Sequence, residues 1–122
     1  MDPRISLNRK SGLISINKTL VEAMGLTAES KVSLVQDEEK PIDWYLMKDP
    51  NGFHIRKSKS SASMSFNCCS LATSVFKSLN LLDNSISIVV DEKPVMQEAC
   101  KLYPLATKLV MKQVQSTNRM TV

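Results

Sequence analysis

The feature that most constrains this chain is an internal repeat of roughly fifty residues. Its first copy runs Ile14-Ser15-Ile16-Asn17, an amphipathic stretch, Lys31-Val32-Ser33-Leu34-Val35, and then Asp37-Glu38-Glu39-Lys40-Pro41. Its second runs Met64-Ser65-Phe66-Asn67, a similar amphipathic stretch, Ser85-Ile86-Ser87-Ile88-Val89, and then Asp91-Glu92-Lys93-Pro94. Order and spacing agree with small gaps, and both copies close on an acidic run followed by Lys-Pro. Segments distant in the chain are therefore expected to become geometric equivalents in the fold.

Each copy reads as strand, basic loop, strand, short helix, strand, strand. Ile14 and Ile16 alternate with Ser15, and Met64 and Phe66 with Ser65, the period of a half-buried strand. Thr19-x-x-Glu22 predicts a capping box and Gly25 a left-handed stop, with Leu20, Val21, Met24 and Leu26 facing inward. In the second copy Ser70 is the expected cap and Asn80 the stop, with Leu71, Val75, Phe76 and Leu79 inward and about one extra turn of helix. Val32 and Leu34, and likewise Ile86, Ile88 and Val90, predict the next strand. Trp44–Met47 follows in copy one, closed by the Asp49-Pro50-Asn51-Gly52 turn. In copy two the return strand is placed at Lys101–Thr107 after a linker at Val95–Cys100, and Pro104 makes it an edge or a bulge. Ahead of the copies, Ile5 and Leu7 precede a hairpin loop at Asn8–Gly12, and the extended Phe53–Lys57 precedes a loop at Ser58–Ser63. Asn17 and Asn67 recur at the strand-to-helix corner, where an amide satisfies backbone donors.

One copy has too few apolar faces to close a core. Two related by an approximate twofold can bury helices and strands between them, which predicts a small, mainly β barrel with two short helices. The 122 residues then divide into one domain over 1–110, made of repeats at about 4–52 and 53–110, and a flexible tail over 111–122.

Composition narrows the class. No apolar run approaches the ~18 residues of a membrane span, and no apolar region follows Met1-Asp2-Pro3-Arg4, so neither insertion nor secretion is expected. Three cysteines, with Cys68 and Cys69 adjacent, make a poor disulfide framework and fit a reducing cytoplasm. With one histidine, His54, a structural zinc site lacks ligands, and no metal or cofactor is expected. Sixteen basic against twelve acidic residues give a net charge of +4, which permits a polyanion partner without demanding one.

Lys10-Ser11-Gly12-Leu13-Ile14-Ser15-Ile16-Asn17-Lys18, then Leu20 through Leu26 and Lys31-Val32-Ser33-Leu34, resembles the AbrB/SpoVT swapped-hairpin family. The resemblance covers residues 4–48 clearly and 53–109 in degenerate form. It implies a swapped-hairpin β-barrel closed by two copies in one chain, and a DNA-binding role in transcriptional regulation. Carried over by position, Arg9 and Lys10 match the family's basic loop and Lys18 its lysine before the helix. Leu13 stands where arginine is common, Asn17 replaces a proline, Val21 a helix arginine, and Cys68 takes the place of Lys18 in copy two.

The residues themselves point to Arg4, Arg9 and Lys10, with Arg56, Lys57 and Lys59, as a polyanion-binding face whose two clusters leave the fold on one side. Solvated hairpin tips are the plain alternative. Trp44, Tyr45 and Phe53 could stack on bases, although covering one end of the core suits Trp44 and Phe53 equally. The acidic turns could meet a metal or a basic partner, and Cys68 and Cys69 lie at a helix start that can lower a thiol pKa. No acid/base pair, phosphate loop or metal spacing is present, so an enzyme is not expected. The leading expectation is a non-enzymatic nucleic-acid-binding module. A protein-interaction or assembly module, including a homodimer, is the alternative.

Overall fold

The computed structural model describes residues 2–57 and 62–107. Lys59, most of the expected second loop and the proposed tail over 111–122 lie outside the described residues.

The chain order is β1 (Arg4–Asn8), β2 (Leu13–Ile16), α1 (Lys18–Met24), β3 (Lys31–Gln36), β4 (Trp44–Lys48), β5 (Phe53–His54), β6 (Arg56–Lys57), β7 (Met64–Asn67), α2 (Cys69–Ser78), β8 (Ser85–Val89), β9 (Val95–Gln97) and β10 (Cys100–Pro104). The described residues are mainly β, with two antiparallel five-stranded sheets and two short helices. The first sheet has the order β6-β7-β2-β1-β8 and the second β5-β3-β4-β10-β9. Alternation drives this arrangement: Ile5, Leu7, Ile14, Ile16, Phe66 and Ile88 turn inward from the first sheet, and Val32, Leu34, Trp44, Leu46 and Tyr103 from the second. They form one buried cluster with Leu20, Val21 and Met24 of α1 and Val75 and Phe76 of α2. Burying each such side chain contributes about 1.5–3 kcal/mol.

The closed barrel expected from the sequence is not what forms, because the strands separate into two sheets. At one seam the extended segment breaks. Phe53 pairs with Val32 and His54 with Lys31 in the second sheet, whereas Arg56 pairs with Ser65 and Lys57 with Met64 in the first. Ile55 between them is fully buried, so its inward turn carries the chain from one sheet to the other. At the opposite seam a single bridge joins Val90 and Leu105, flanked by Ala106 N to Val89 O at 2.8 Å and Asp91 N to Pro104 O at 2.9 Å. Pro104 has no N–H to extend that ladder.

Both helix stops are as expected. Gly25 has φ 65° and Asn80 φ 55°, and Leu26 N and Leu81 N reach back to Val21 O and Phe76 O at 3.0 Å in each case, which satisfies carbonyls at the helix ends. Both helix starts differ from expectation. Asn17, not Thr19, caps α1: its Oδ1 accepts from Leu20 N and Arg4 N, each at 3.0 Å. Cys68, not Ser70, is the cap position of α2, and it makes no side-chain capping bond. The strands run straight into their helices, so the corner residue takes the cap and the hydroxyls behind it enter the first turn. Val95–Cys100 is likewise not a linker. Val95–Gln97 forms β9, joined to β10 by the two-residue turn Glu98-Ala99.

Candidate nucleic-acid interface

The basic residues singled out in the sequence fall into three environments. Arg4 and Lys18 each stand beside an exposed carboxylate. Arg4 Nη2 lies 3.8 Å from Asp2 Oδ2 and Nη1 donates to Ser87 Oγ at 3.4 Å; Lys18 Nζ lies 4.0 Å from Glu22 Oε1, one turn on. Arg9 is committed to the fold. Its Nη2 donates to Leu82 O at 2.9 Å and Asn84 Oδ1 at 3.3 Å, its guanidinium lies 5.6 Å from the centre of the Phe76 ring, and Arg9 N donates to Asn84 O. Arg9 therefore latches the β1–β2 loop onto the α2–β8 loop. Lys10, Arg56 and Lys57 are exposed.

The β1–β2 loop is built from its own polar groups. Ser11 N donates to Asn8 Oδ1 at 3.0 Å and Gly12 N to Asn8 O at 2.9 Å, which turns Lys10 outward at the tip. Gly12 adopts φ 72°, and a Cβ there would lie 2.6 Å from Cys69 N. Only glycine lets the loop come this close to the start of α2, and Cys68 N then donates to Gly12 O at 2.9 Å. Asn67 completes the junction: its Nδ2 donates to Ser11 O at 3.3 Å while its Oδ1 accepts from Arg56 Nη2. Lys10 and Arg56, far apart in the chain, are thus brought to the same end of the first sheet.

In the antiparallel β2–β7 ladder Leu13 pairs with Asn67 and Ile16 with Met64. The end of the β1–β2 loop and the start of β7 therefore lie at opposite ends of this ladder, about 10 Å apart at 3.2–3.4 Å per residue. Arg56 bridges part of that gap through Asn67, whereas Lys57 pairs with the core-facing Met64 and is exposed at the sheet's edge, on the face opposite to Arg56.

Sequence reading did not find a row of hydroxyls across the outer face of this sheet. Arg56 pairs with Ser65, Ser65 with Ser15, Ser15 with Ser6, and Ser6 with Ser87, so all five occupy one register position and share one face. The signal was present as the repeated Ile-Ser-Ile and Met-Ser-Phe triplets, but their alignment needs the strand order. Ser6, Ser15, Ser85 and Ser87, with Asn8 and Leu13, line an open depression of about 350 Å³ on this face. The strands of the sheet carry Arg4, Arg56 and Lys57 and no carboxylate.

Acids gather elsewhere. Burial first, and then the carboxylates of Asp43 and Asp37, push the Tyr45 hydroxyl above its ordinary pKa. Tyr45 pairs with Pro104, next to the Val90–Leu105 seam and Asp91. The aromatic candidates divide accordingly. Trp44 is buried, Phe53 stacks on Phe66 with centroids 5.0 Å apart, and Tyr45 is half-buried beside the acids. His54 is exposed on β5, opposite Lys31.

Cys68, Cys69 and Cys100 are free thiols, and among the described residues no group of three or more His, Cys, Asp or Glu could hold a metal ion. No described helix is long and apolar enough to cross a membrane. No protein-family model, curated protein or solved structure matches the chain.

Proposed function

We propose that this chain is a non-enzymatic nucleic-acid-binding module that lays the serine row of its first sheet against a phosphate backbone, gripping it with Lys10 and Arg56 and, from the edge of the sheet, with Lys57. The observation that carries the reading is the Arg56–Asn67–Ser11 junction, which gathers cations from two distant segments onto a sheet whose strands hold no acid. Serine hydroxyls are short donors that let a backbone approach closely, and such contacts position nucleic acid without specifying sequence. Arg4, Arg9 and Lys18 play supporting parts, because a carboxylate stands beside Arg4 and Lys18 and the guanidinium of Arg9 is held against Phe76 and the α2–β8 loop.

The architecture belongs to the same proposal. Two copies related by an approximate twofold, in the manner of the AbrB/SpoVT swapped-hairpin family, would put the axis at the Ser15–Ser65 pair, since each occupies the same place in its own copy. Cross-pairing of β1 with β8 and of β5 with β3 supports an exchange of first strands between copies. A regulatory role on DNA follows from that resemblance.

The test is fluorescence anisotropy with random-sequence duplex DNA at two salt concentrations. Three phosphate contacts predict a drop in affinity of roughly 40-fold between 50 and 200 mM salt, and Lys10→Ala with Arg56→Ala lowers the log–log salt slope by about two. No binding at low salt defeats the proposal. A protein-interaction role then leads, favoured by β9, whose Val95 and Met96 are 50% and 60% exposed at the edge of the second sheet.

A further inference from the structure

Asn17 and Asn67 hold the same place in the two copies but spend their amides differently. Asn17 serves backbone: Oδ1 accepts from Leu20 N and Arg4 N, and Nδ2 donates to Asp2 O at 2.8 Å. Asn67 caps nothing, because the cap position of α2 falls on Cys68, which makes no side-chain capping bond. Its amide instead joins a cation to a loop, through Arg56 Nη2 on one side and Ser11 O on the other.

We infer that Asn67 is a positioning residue for the phosphate contact, holding the Arg56 guanidinium and the loop that carries Lys10 as one unit. This rests on the nucleic-acid reading above. An exposed arginine left free loses rotamer entropy when it is immobilised on a ligand. Fixing one of its N–H groups beforehand removes part of that cost and leaves the other donors of the fork open. The neutral amide matters as much as the geometry. Asp2 beside Arg4 and Glu22 beside Lys18 offset part of the charge they hold, whereas Asn67 orients Arg56 and leaves its full charge for a phosphate. The same amide restrains Ser11, adjacent to Lys10, so one side chain sets the spacing of two cations from different repeats.

The experiment measures affinity for random-sequence duplex DNA and the thermal unfolding midpoint for the full chain and for Asn67→Ala, Asn67→Asp, Arg56→Ala, Lys10→Ala and the Asn67→Ala/Arg56→Ala pair. Asn67→Ala is expected to weaken binding about three- to tenfold, and Arg56→Ala to cost less in that background than alone. Asn67→Asp still accepts from Arg56 but can no longer donate to Ser11 O, so it is expected to unfold no earlier than Asn67→Ala, yet to bind no better than that variant. A purely structural asparagine would make binding follow the unfolding midpoint in both variants. The inference is overturned if binding does follow that midpoint, or if both Asn67 variants bind within twofold of the unmutated chain while Arg56→Ala weakens binding. If neither Arg56→Ala nor Lys10→Ala weakens binding, or the unmutated chain does not bind, the nucleic-acid reading itself fails and takes the inference with it.

Discussion

Trp44 Nε1 donates to Ser78 Oγ at 2.7 Å, and the same hydroxyl donates to Val75 O at 2.8 Å. One serine thus ties β4 of the second sheet to the last turn of α2, which packs beneath the first. Trp44 is 4% exposed, so its indole N–H has no ready access to water. Ser78→Ala leaves that donor unpaired and is expected to cost about 1–3 kcal/mol. A fall in the unfolding midpoint of roughly 4–8 °C per kcal/mol would register it. Trp44→Phe with Ser78→Ala removes both partners, and its loss is expected to be smaller than the sum of the two single losses.

The β9–β10 turn offers the opposite kind of change. Glu98 and Ala99 both adopt left-handed backbone, at φ 50° and 66°, in the two-residue connection between Gln97 and Cys100. That geometry favours Asn-Gly, and an ordinary residue held there costs roughly 1–2 kcal/mol. Glu98→Asn with Ala99→Gly is therefore expected to raise stability by about 1–2 kcal/mol. Urea titration would show it as a higher midpoint with an unchanged slope.

Local structure was legible in this sequence wherever one residue type decides it. Alternation at Ile14–Ile16 and Met64–Phe66 places the central strands, and Gly25 and Asn80 mark both helix stops. The helix starts were misread because Thr19 and Ser70 are good caps in isolation, but a cap belongs to whichever residue sits at the corner, and strand length decides that. Sheet closure was not legible, since it turns on Ile55 being drawn inward and on a bridge beside Pro104. Among the basic residues, counting charge could not separate Arg9, held by a carbonyl and an amide from a loop more than seventy residues on, from Lys10 next to it. Side-chain partners supplied by distant segments leave no local trace.

Gly12 is the point where the first basic loop and the start of α2 come closest. At φ 72°, with Cys69 N, Sγ and Cα all 2.6–2.8 Å from where a Cβ would stand, Gly12→Ala has to strain the backbone and displace the helix start. Destabilisation of about 1–3 kcal/mol is expected. Thermal unfolding would register it, and a midpoint equal to that of the unmutated chain would show that the close approach does not constrain the loop.

Arg9 provides the sharpest contrast with a reading from charge alone. A phosphate contact and a structural latch predict different losses on truncation. As a latch, Arg9 holds Leu82 O and Asn84 Oδ1 and covers Phe76, a side chain only 1% exposed. Arg9→Ala is then expected to lower stability by about 1–2 kcal/mol through the lost hydrogen bonds and cation–π contact. Arg9→Lys restores charge but not the planar fork, and it should recover little of that stability. At a temperature where both variants are folded, the salt slope of any DNA binding is expected to match that of the unmutated chain, whereas Lys10→Ala lowers it by about one. A normal unfolding midpoint for Arg9→Ala together with a reduced slope would return Arg9 to the phosphate-binding set and leave the loop held by Asn8, Gly12 and Asn67 alone.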